Sequence, residues 1–321
     1  MKCVVTGGAG YIGSVTSSLL LEAGHHVLVL DNLTTGHADA IPDGCAFIEL
    51  DIRETARVAE ALHGADAVLH FAAKSIVPQS VIDPDGYWDN NVHGSQSLLA
   101  AIREANVPRL VFSSTAAVYG NPATVPIPET APTRPTNPYG ETKLAIDMAI
   151  AEQAATTALA AMSLRYFNVA GATSALGERH DPETHLIPVI LNNLASGSSE
   201  PVEVFGTDWD TPDGTCIRDY IHVIDLARAH LLALDAVTTG THQVVNLGSG
   251  SGFSVLEVLA ATTQATGIEV PWRAAPRRSG DPERLIAAVD TAREVLGWKA
   301  SLPLVEMIAD AWHFRNVHHG A

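Results

Sequence analysis

Tyr139 and Lys143 stand four residues apart in the stretch NPYGETK. On a helix that spacing places both side chains on one face, one turn apart. An ammonium group near a phenol favours the phenolate, so such a pair can accept a proton from a hydroxyl near neutral pH. Asn137 and Pro138, just ahead of the tyrosine, are residues that start a helix well. Taken alone, the pair also reads as an ordinary aromatic and an ordinary charge on a surface helix. The run FSSTAAVYG (112–120) adds hydroxyls to it. Ser113, Ser114 and Thr115 follow an apolar strand and emerge at its carboxyl end, where open α/β sheets bind ligands. A hydroxyl there can hold a reacting oxygen and complete a relay with Tyr139.

A second pattern points to a nucleotide. VVTGGAGYIG (4–13) contains Gly8-x-Gly10-x-x-Gly13 and, overlapping it, Gly7-x-x-Gly10-x-x-Gly13. Glycine at these places lets the chain turn sharply, lets a pyrophosphate approach the backbone and lets the next helix pack closely, while that helix presents its N-H groups. The pattern gains force from its setting, with an apolar strand before it and a helical run after it. Asp31 ends the second apolar strand, eighteen residues past Gly13, where a carboxylate can bond ribose hydroxyls and repel a 2'-phosphate. NAD is therefore expected rather than NADP. Asp51, in LDIR, is read either as a contact on the adenine side or as a cap on the next helix.

These residues need a scaffold that brings strand ends together. Apolar β-rich runs recur at 2–6, 26–30, 46–50, 67–71, 109–113 and 162–166, separated by helix-length segments such as 13–24 and 94–107. Near-continuous apolar strands alternating with helices predict a parallel sheet covered on both faces, a Rossmann-type doubly wound α/β fold. Past about residue 168 the chain becomes rich in Gly, Pro, Asp and Thr, with a helix near 185–195. A strand at 242–247 returns later, and Ser254 with Glu257 forms a capping-box signature. The expected organisation is a dinucleotide-binding domain over 1–168, receiving segments near 218–248, and a smaller interleaved α/β lobe over most of 169–321.

With 321 residues, 46% of them hydrophobic, the chain can bury a large core. Its formal charge of -17 argues against a nucleic-acid or anionic-membrane surface, so any bound phosphate must meet local arginines or backbone N-H groups. Cys3, Cys45 and Cys216 are too scattered for a disulfide framework and read as small core residues in a reducing compartment. The chain opens on an apolar strand without a basic leader, and no apolar run reaches membrane length, so a cytoplasmic protein is expected. No metal site is expected: His318 and His319 are adjacent in a polar tail and lack the spacing of a ligand set.

Taken together these features resemble the extended short-chain dehydrogenase/reductase family. More narrowly, TGGAGYIGS, LDNL, DIR, HFAAKS, DNNVHG, FSSTAAVYG, NPYGETK, LRYFNVAGA, HLIP, GTCIRDYIHVIDLARAH, NLGSGSGFSV and APRRSGDP, in that order over nearly the whole chain, resemble its UDP-glucose 4-epimerase branch. The resemblance implies an NAD-dependent isomerase that interconverts UDP-galactose and UDP-glucose by transient oxidation at sugar C4. It implies Tyr139 as general acid/base, with Lys143 and Thr115 beside it. NAD would meet Gly7, Gly10, Tyr11, Ile12, Gly13, Asp31, Asn32, Asp51, Ile52, Phe71, Ala72, Ala73, Asn90, Ser113, Tyr139, Lys143 and Tyr166. The nucleotide sugar would meet Ser75, Thr115, Tyr139, Phe167, Asn168, His185, Leu186, Val204, Phe205, Arg218, Arg278 and Asp281. In an acidic chain the two arginines are also what a pyrophosphate needs.

Relatives that dehydrate nucleotide sugars carry an acidic pair just after the strand-five threonine; here Ala116 and Ala117 stand there, and alanine transfers no proton. Another NAD-dependent nucleotide-sugar epimerase and a non-catalytic dinucleotide sensor are the alternatives. Departures from the family pattern are Thr115 for a common serine, His185 for an asparagine in some members, the stretch at Ser75 near which some members have a lysine, and Leu285 where several relatives have tyrosine. The last implies that N-acetylated sugars also fit. The family also implies a homodimer formed through helices near 85–107 and 138–157.

Overall fold

The computed structural model describes residues 1–198, 200–278 and 280–318; His319 lies outside the described residues. Its first half alternates β1 (Lys2–Thr6), α1 (Tyr11–Glu22), β2 (His26–Asp31), β3 (Ala46–Glu49), α2 (Thr55–Ala61), β4 (Ala67–His70), α3 (Val77–Ile82) and α4 (Pro84–Tyr87). A π-turn at Trp88–His93 leads into α5 (Gly94–Glu104), β5 (Arg109–Thr115), α6 (Pro138–Thr156) and β6 (Ala160–Tyr166). Then come β7 (Asn168–Ala170), α7 (Leu186–Ala195), β8 (Val202–Phe205), β9 (Ile217–Arg218), β10 (Tyr220–His222), α8 (Val223–Ala236) and β11 (His242–Leu247). The chain ends with β12 (Phe253–Ser254), α9 (Val255–Thr266), β13 (Trp272–Ala275), β14 (Arg284–Leu285), α10 (Asp290–Leu296) and α11 (Leu304–His318).

Seven strands form one parallel sheet in the order β11-β6-β5-β4-β1-β2-β3. Side-chain alternation explains why it is covered twice. Cys3, Val5, Val29, Leu69 and Val111 face a core with α1, α8 and α10, whereas Val4, Leu30, Val68 and Leu110 face a second core with α2, α5 and α6. This is the Rossmann-type α/β fold anticipated from the strand-helix alternation. Strand order reverses at β1, whose neighbours are β2 and β4, and the crevice at such a switch point opens at the carboxyl ends.

The expected burial fails at one strand. All four residues of β3 are exposed, because it forms the sheet's edge. Cys45, just before it, is half-buried rather than a core residue, while Cys3 and Cys216 are buried.

A third apolar core lies apart from the sheet, where Ile187, Ile190 and Leu191 of α7 meet Val202 and Val204 of β8, Val258 of α9 and Met307 and Ile308 of α11. Short strands stitch this part together: β8 pairs with β13, β9 lies between β12 and β14, and β10 pairs with β7. Ser254 closes the capping box with Glu257 that its spacing promised, starting α9. Among the described residues no helix is long and apolar enough to cross a membrane.

The glycine turn after β1 is held by contacts that leave no room for a side chain. A Cβ on Gly13 would stand 2.2 Å from the Gly7 carbonyl oxygen and 2.9 Å from Gly8 Cα, and both are backbone atoms that cannot step aside. Gly13→Ala should therefore destabilise the fold by about 1–3 kcal/mol, the usual range for overpacking. A lowered urea midpoint with an unchanged slope checks this, and an unshifted midpoint refutes it.

Candidate active site

The carboxyl ends of β1, β2, β4 and β5 and the start of α6 enclose one long cavity. All seventeen residues expected to meet NAD, from Gly7 to Tyr166, line it, and Ser75 lines it too. Gly7 adopts φ +73°, and a Cβ there would lie 2.5 Å from the Ala72 nitrogen, so the turn after β1 packs backbone to backbone against the segment after β4. That close approach is the cradle a dinucleotide requires, directly ahead of the α1 N-terminus.

Asp31 stands at the end of β2 but is not idle. Its Oδ2 accepts the Ala9 N-H at 3.0 Å and its Oδ1 accepts the Leu33 N-H at 2.9 Å. The carboxylate thus braces the glycine turn, and each oxygen keeps a further lone pair for a ligand hydroxyl. Asp51 lies past the end of β3, and Glu54 rather than Asp51 is the N-cap of α2. Arg53 Nε and Nη2 donate to Asp51 at 2.9 and 2.7 Å, and Asn32 Nδ2 donates to it at 3.0 Å. Those Arg53 hydrogen bonds hold the Asp51 carboxyl well below the usual carboxylate range. Arg53 also pairs with Asp89.

The proton-transfer candidates come from two elements. Ser113, Ser114 and Thr115 are the last residues of β5 itself, and all three are buried. Opposite them Asn137 caps α6 by accepting the Gly140 N-H at 2.9 Å, and Pro138 occupies the first turn, so Tyr139 and Lys143 fall on one helical face as their spacing requires. Lys143 is 2% exposed, and its Nζ donates to the Ser113 carbonyl at 2.7 Å, 6.0 Å from the centre of the Tyr139 ring. Ser113 Oγ hydrogen-bonds the Tyr166 hydroxyl.

Electrostatics here corrects one expectation. Burial pushes the Tyr139 phenol up to about 12, against the opposing hydrogen bond with Thr115. The neighbouring ammonium alone therefore does not produce a phenolate in the protein by itself. Burial also lowers Lys143 to about 8, partly offset by the negative charge of Asp147 one turn further along α6. Asp147 is 3% exposed and is held by Arg165, whose Nε and Nη2 donate to its Oδ2 at 3.0 and 2.8 Å. This buried ion pair ties α6 to β6 beneath the candidate residues.

Of the residues expected to meet a nucleotide sugar, Ser75 and Tyr139 line the cavity, and most of the others fall into three groups outside it. Arg218 of β9 lies 3.8 Å from Asp281, and Arg278 stacks on the Phe205 ring at 3.8 Å. Val204 is buried in the third core, so its side chain faces inward. Phe167 and Leu285 pack with Ala116 and Val118 just past Thr115, with Asn168 opening β7 beside them. His185 caps α7 ahead of Leu186, and its Nδ1 lies 2.8 Å from Glu178 and 3.0 Å from Glu183.

Sequence and structure comparisons place this geometry in context. A model of the NAD dependent epimerase/dehydratase family matches residues 3–248. The chain belongs to that family. It is 52% identical over 320 residues to the UDP-glucose 4-epimerase of Streptomyces lividans, covering 99% of this chain and 97% of the relative. It is 50% identical over 317 residues to that of Corynebacterium glutamicum, covering 98% and 96%. Among solved structures, a UDP-glucose-4-epimerase from Stenotrophomonas maltophila, with bound NAD and formylated UDP-arabinopyranose, superposes with a TM-score of 0.95 at 42% identity over the full length of both chains.

Two stretches of this family member's cavity escaped the sequence patterns. Residues 34–37 follow β2, and Gly177, Arg179 and His180 reach over from the loop between β7 and α7. Arg179 is anchored to Asp39 by two bonds of 2.9 and 2.8 Å, and Tyr11 donates to the Gly171 carbonyl at 2.5 Å. Gly36 is packed closely there, since a Cβ would lie 2.9 Å from the Ala9 Cβ.

The Asp147 charge has a measurable consequence. Because it raises the Lys143 pKa, its removal in Asp147→Asn should move Lys143 below about 8. Lysine-selective NMR across a pH series reads the midpoint; an unchanged midpoint would show that burial alone sets it.

Proposed function

We propose that the protein interconverts UDP-galactose and UDP-glucose by transient oxidation at sugar C4, with NAD retained through the cycle. The observation that carries this is the convergence of Tyr139 and Lys143 on the wall of the cavity over the glycine turn, with Thr115 hydrogen-bonded to Tyr139 behind them. The glycine turn fits a pyrophosphate, and Asp31 fits an unphosphorylated ribose. NAD, when bound, supplies the hydride acceptor and donor and a positive ring that draws the Tyr139 phenol toward phenolate.

The chain's own residues do the rest. Tyr139 takes the C4 hydroxyl proton and later returns it. Thr115 orients that hydroxyl, and its methyl restricts the side chain more than a serine would be. Lys143, fixed by the Ser113 carbonyl, holds positive charge one helical turn from Tyr139 and would offer its remaining N-H groups to the dinucleotide. Inversion requires the oxidised sugar to show its second face, so the nucleotide must be gripped while the hexose turns. Arg218 and Arg278 hold the pyrophosphate, and Phe205, Val204 through its main chain, Asp281, Asn168, Leu186 and the outer edge of the His185 ring hold the nucleotide. Ser75 and Phe167 border the sugar. Ala116 and Ala117 leave no acid or base for dehydration.

Leu285 packs with Phe167 against the cluster of Ala116 and Val118 just past Thr115, and its side chain leaves more room than a tyrosine would. N-acetylated UDP-sugars therefore belong to the same proposal. A homodimer belongs to the same proposal, paired through the helices near 85–107 and 138–157, where Trp88 and Met148 are exposed. Three free thiols suit a cytoplasmic setting.

Incubating the purified protein with UDP-galactose, without added cofactor, should give an equilibrium mixture containing UDP-glucose, and Tyr139→Phe should slow this by about 10²–10⁴-fold. No conversion, even after NAD is added, rejects the proposal. UDP-N-acetylgalactosamine should also be converted; failure there while UDP-galactose turns over rejects the wider substrate range.

A further inference from the structure

The loop between β7 and α7 carries the run ERHDPETH, in which two Glu-x-His pairs repeat five residues apart. Folding closes them into one knot. Glu178 Oε1 lies 2.8 Å from His180 Nδ1 and 2.8 Å from His185 Nδ1, and Glu183 Oε1 lies 3.0 Å from His185 Nδ1. One donor atom from each of the four residues lies within 4.8 Å of all the others. We propose that Glu178, His180, Glu183 and His185 form a four-ligand site for a divalent transition metal ion, with zinc the best match.

The chemistry of the donor set supports this. Two imidazoles and two carboxylates are ligands zinc accepts in tetrahedral sites, at bond lengths of about 2.0–2.2 Å. Tetrahedral bonds of that length separate ligand atoms by roughly 3.3–3.6 Å. That spacing falls between the closest contacts here, 2.8 Å, and the outer limit of 4.8 Å, so small side-chain rotations admit the ion. Both glutamate side chains are largely withdrawn from water, 9% and 10% exposed, and are partnered here by the two histidine rings, a place a divalent ion can take over. One divalent cation balances the two carboxylates while leaving both imidazoles neutral.

The site has orientation and access as well. Glu183 Oε1 accepts the N-H groups of Thr184 and His185 at 2.7 and 2.8 Å, which fixes one ligand before any ion arrives. The His180 and His185 rings lie 5.3 Å apart at 47°, so they converge rather than stack. A second cavity of about 380 Å³, bordered by Glu178, His180 and Glu183 on one side and by Leu191 and Phe314 on the other, gives an ion a way in. Because His180 also borders the dinucleotide cavity, a bound ion would pin the loop that crosses it.

The test uses the full chain, stripped with chelator and titrated with zinc in competition with a chromophoric chelator. We expect one zinc per chain. The double variant His180→Ala/Glu183→Gln should bind about 100-fold more weakly, while His63→Ala, at an exposed histidine far along the chain, keeps wild-type affinity. Equal affinity in wild type and double variant would place any ion elsewhere and overturn the site, as would no binding in the wild type. Cobalt substituted into the wild type provides a readout independent of variant folding. A four-coordinate absorption spectrum is expected, and a six-coordinate, water-like spectrum overturns the proposal. None of these readouts depends on epimerase activity.

Discussion

The architecture hangs on a backbone contact that excludes side chains. At the sheet's switch point the turn after β1 presses against the segment after β4 at Gly7, and α1 presses against the same turn at Gly13. Only chains without Cβ atoms at those places can approach so closely. The contact puts the α1 N-terminus over the crevice, and Asp31 locks it by accepting the Ala9 amide. The cavity follows from this arrangement, since its other walls are whatever the neighbouring parallel strands bring to their carboxyl ends.

Catalytic potential rests on a second, electrostatic constraint. Lys143 is a cation with almost no exposure, and the protein compensates it with the Ser113 carbonyl and, one helical turn away, Asp147. Asp147 is itself neutralised by Arg165 of β6, so a chain of buried charges runs from the proposed proton-transfer face into the sheet. Such an arrangement fixes α6 against β5 and β6 more firmly than apolar packing alone, because breaking any one pair strands a charge in the interior. Tyr139 is set by burial instead, which pushes its phenol up against the opposing hydrogen bond with Thr115. Burial dominates both side chains, and ionisation of the phenol awaits a ligand.

Local pattern made much of this legible. The six apolar runs, the glycine turn, Asp31 at a strand end and the Tyr139-Lys143 spacing each report geometry within one or two elements, and those elements form where expected. What escaped depends on tertiary placement. Strand β3 has the composition of a buried strand but lies at the sheet edge, and edge position is not written in a single run. Asp51 gave two local readings, and its partners within the chain are Arg53 and, from the end of the neighbouring strand β2, Asn32. Residues 34–37, Gly177, Arg179 and His180 join the cavity only because the loops after β2 and β7 come over it. The two Glu-x-His pairs were visible as letters, yet their convergence depends on a loop conformation that no periodicity encodes.

The central claim is that C4 of the sugar loses hydrogen as hydride to a bound cofactor and regains that same hydrogen, while Tyr139 handles only the hydroxyl proton. Conversion of UDP-galactose in heavy water tests this directly. The UDP-glucose formed should carry no deuterium at C4, because a hydride stored on the protein never exchanges with solvent. Deuterium at C4 would contradict the account and point to proton abstraction from carbon.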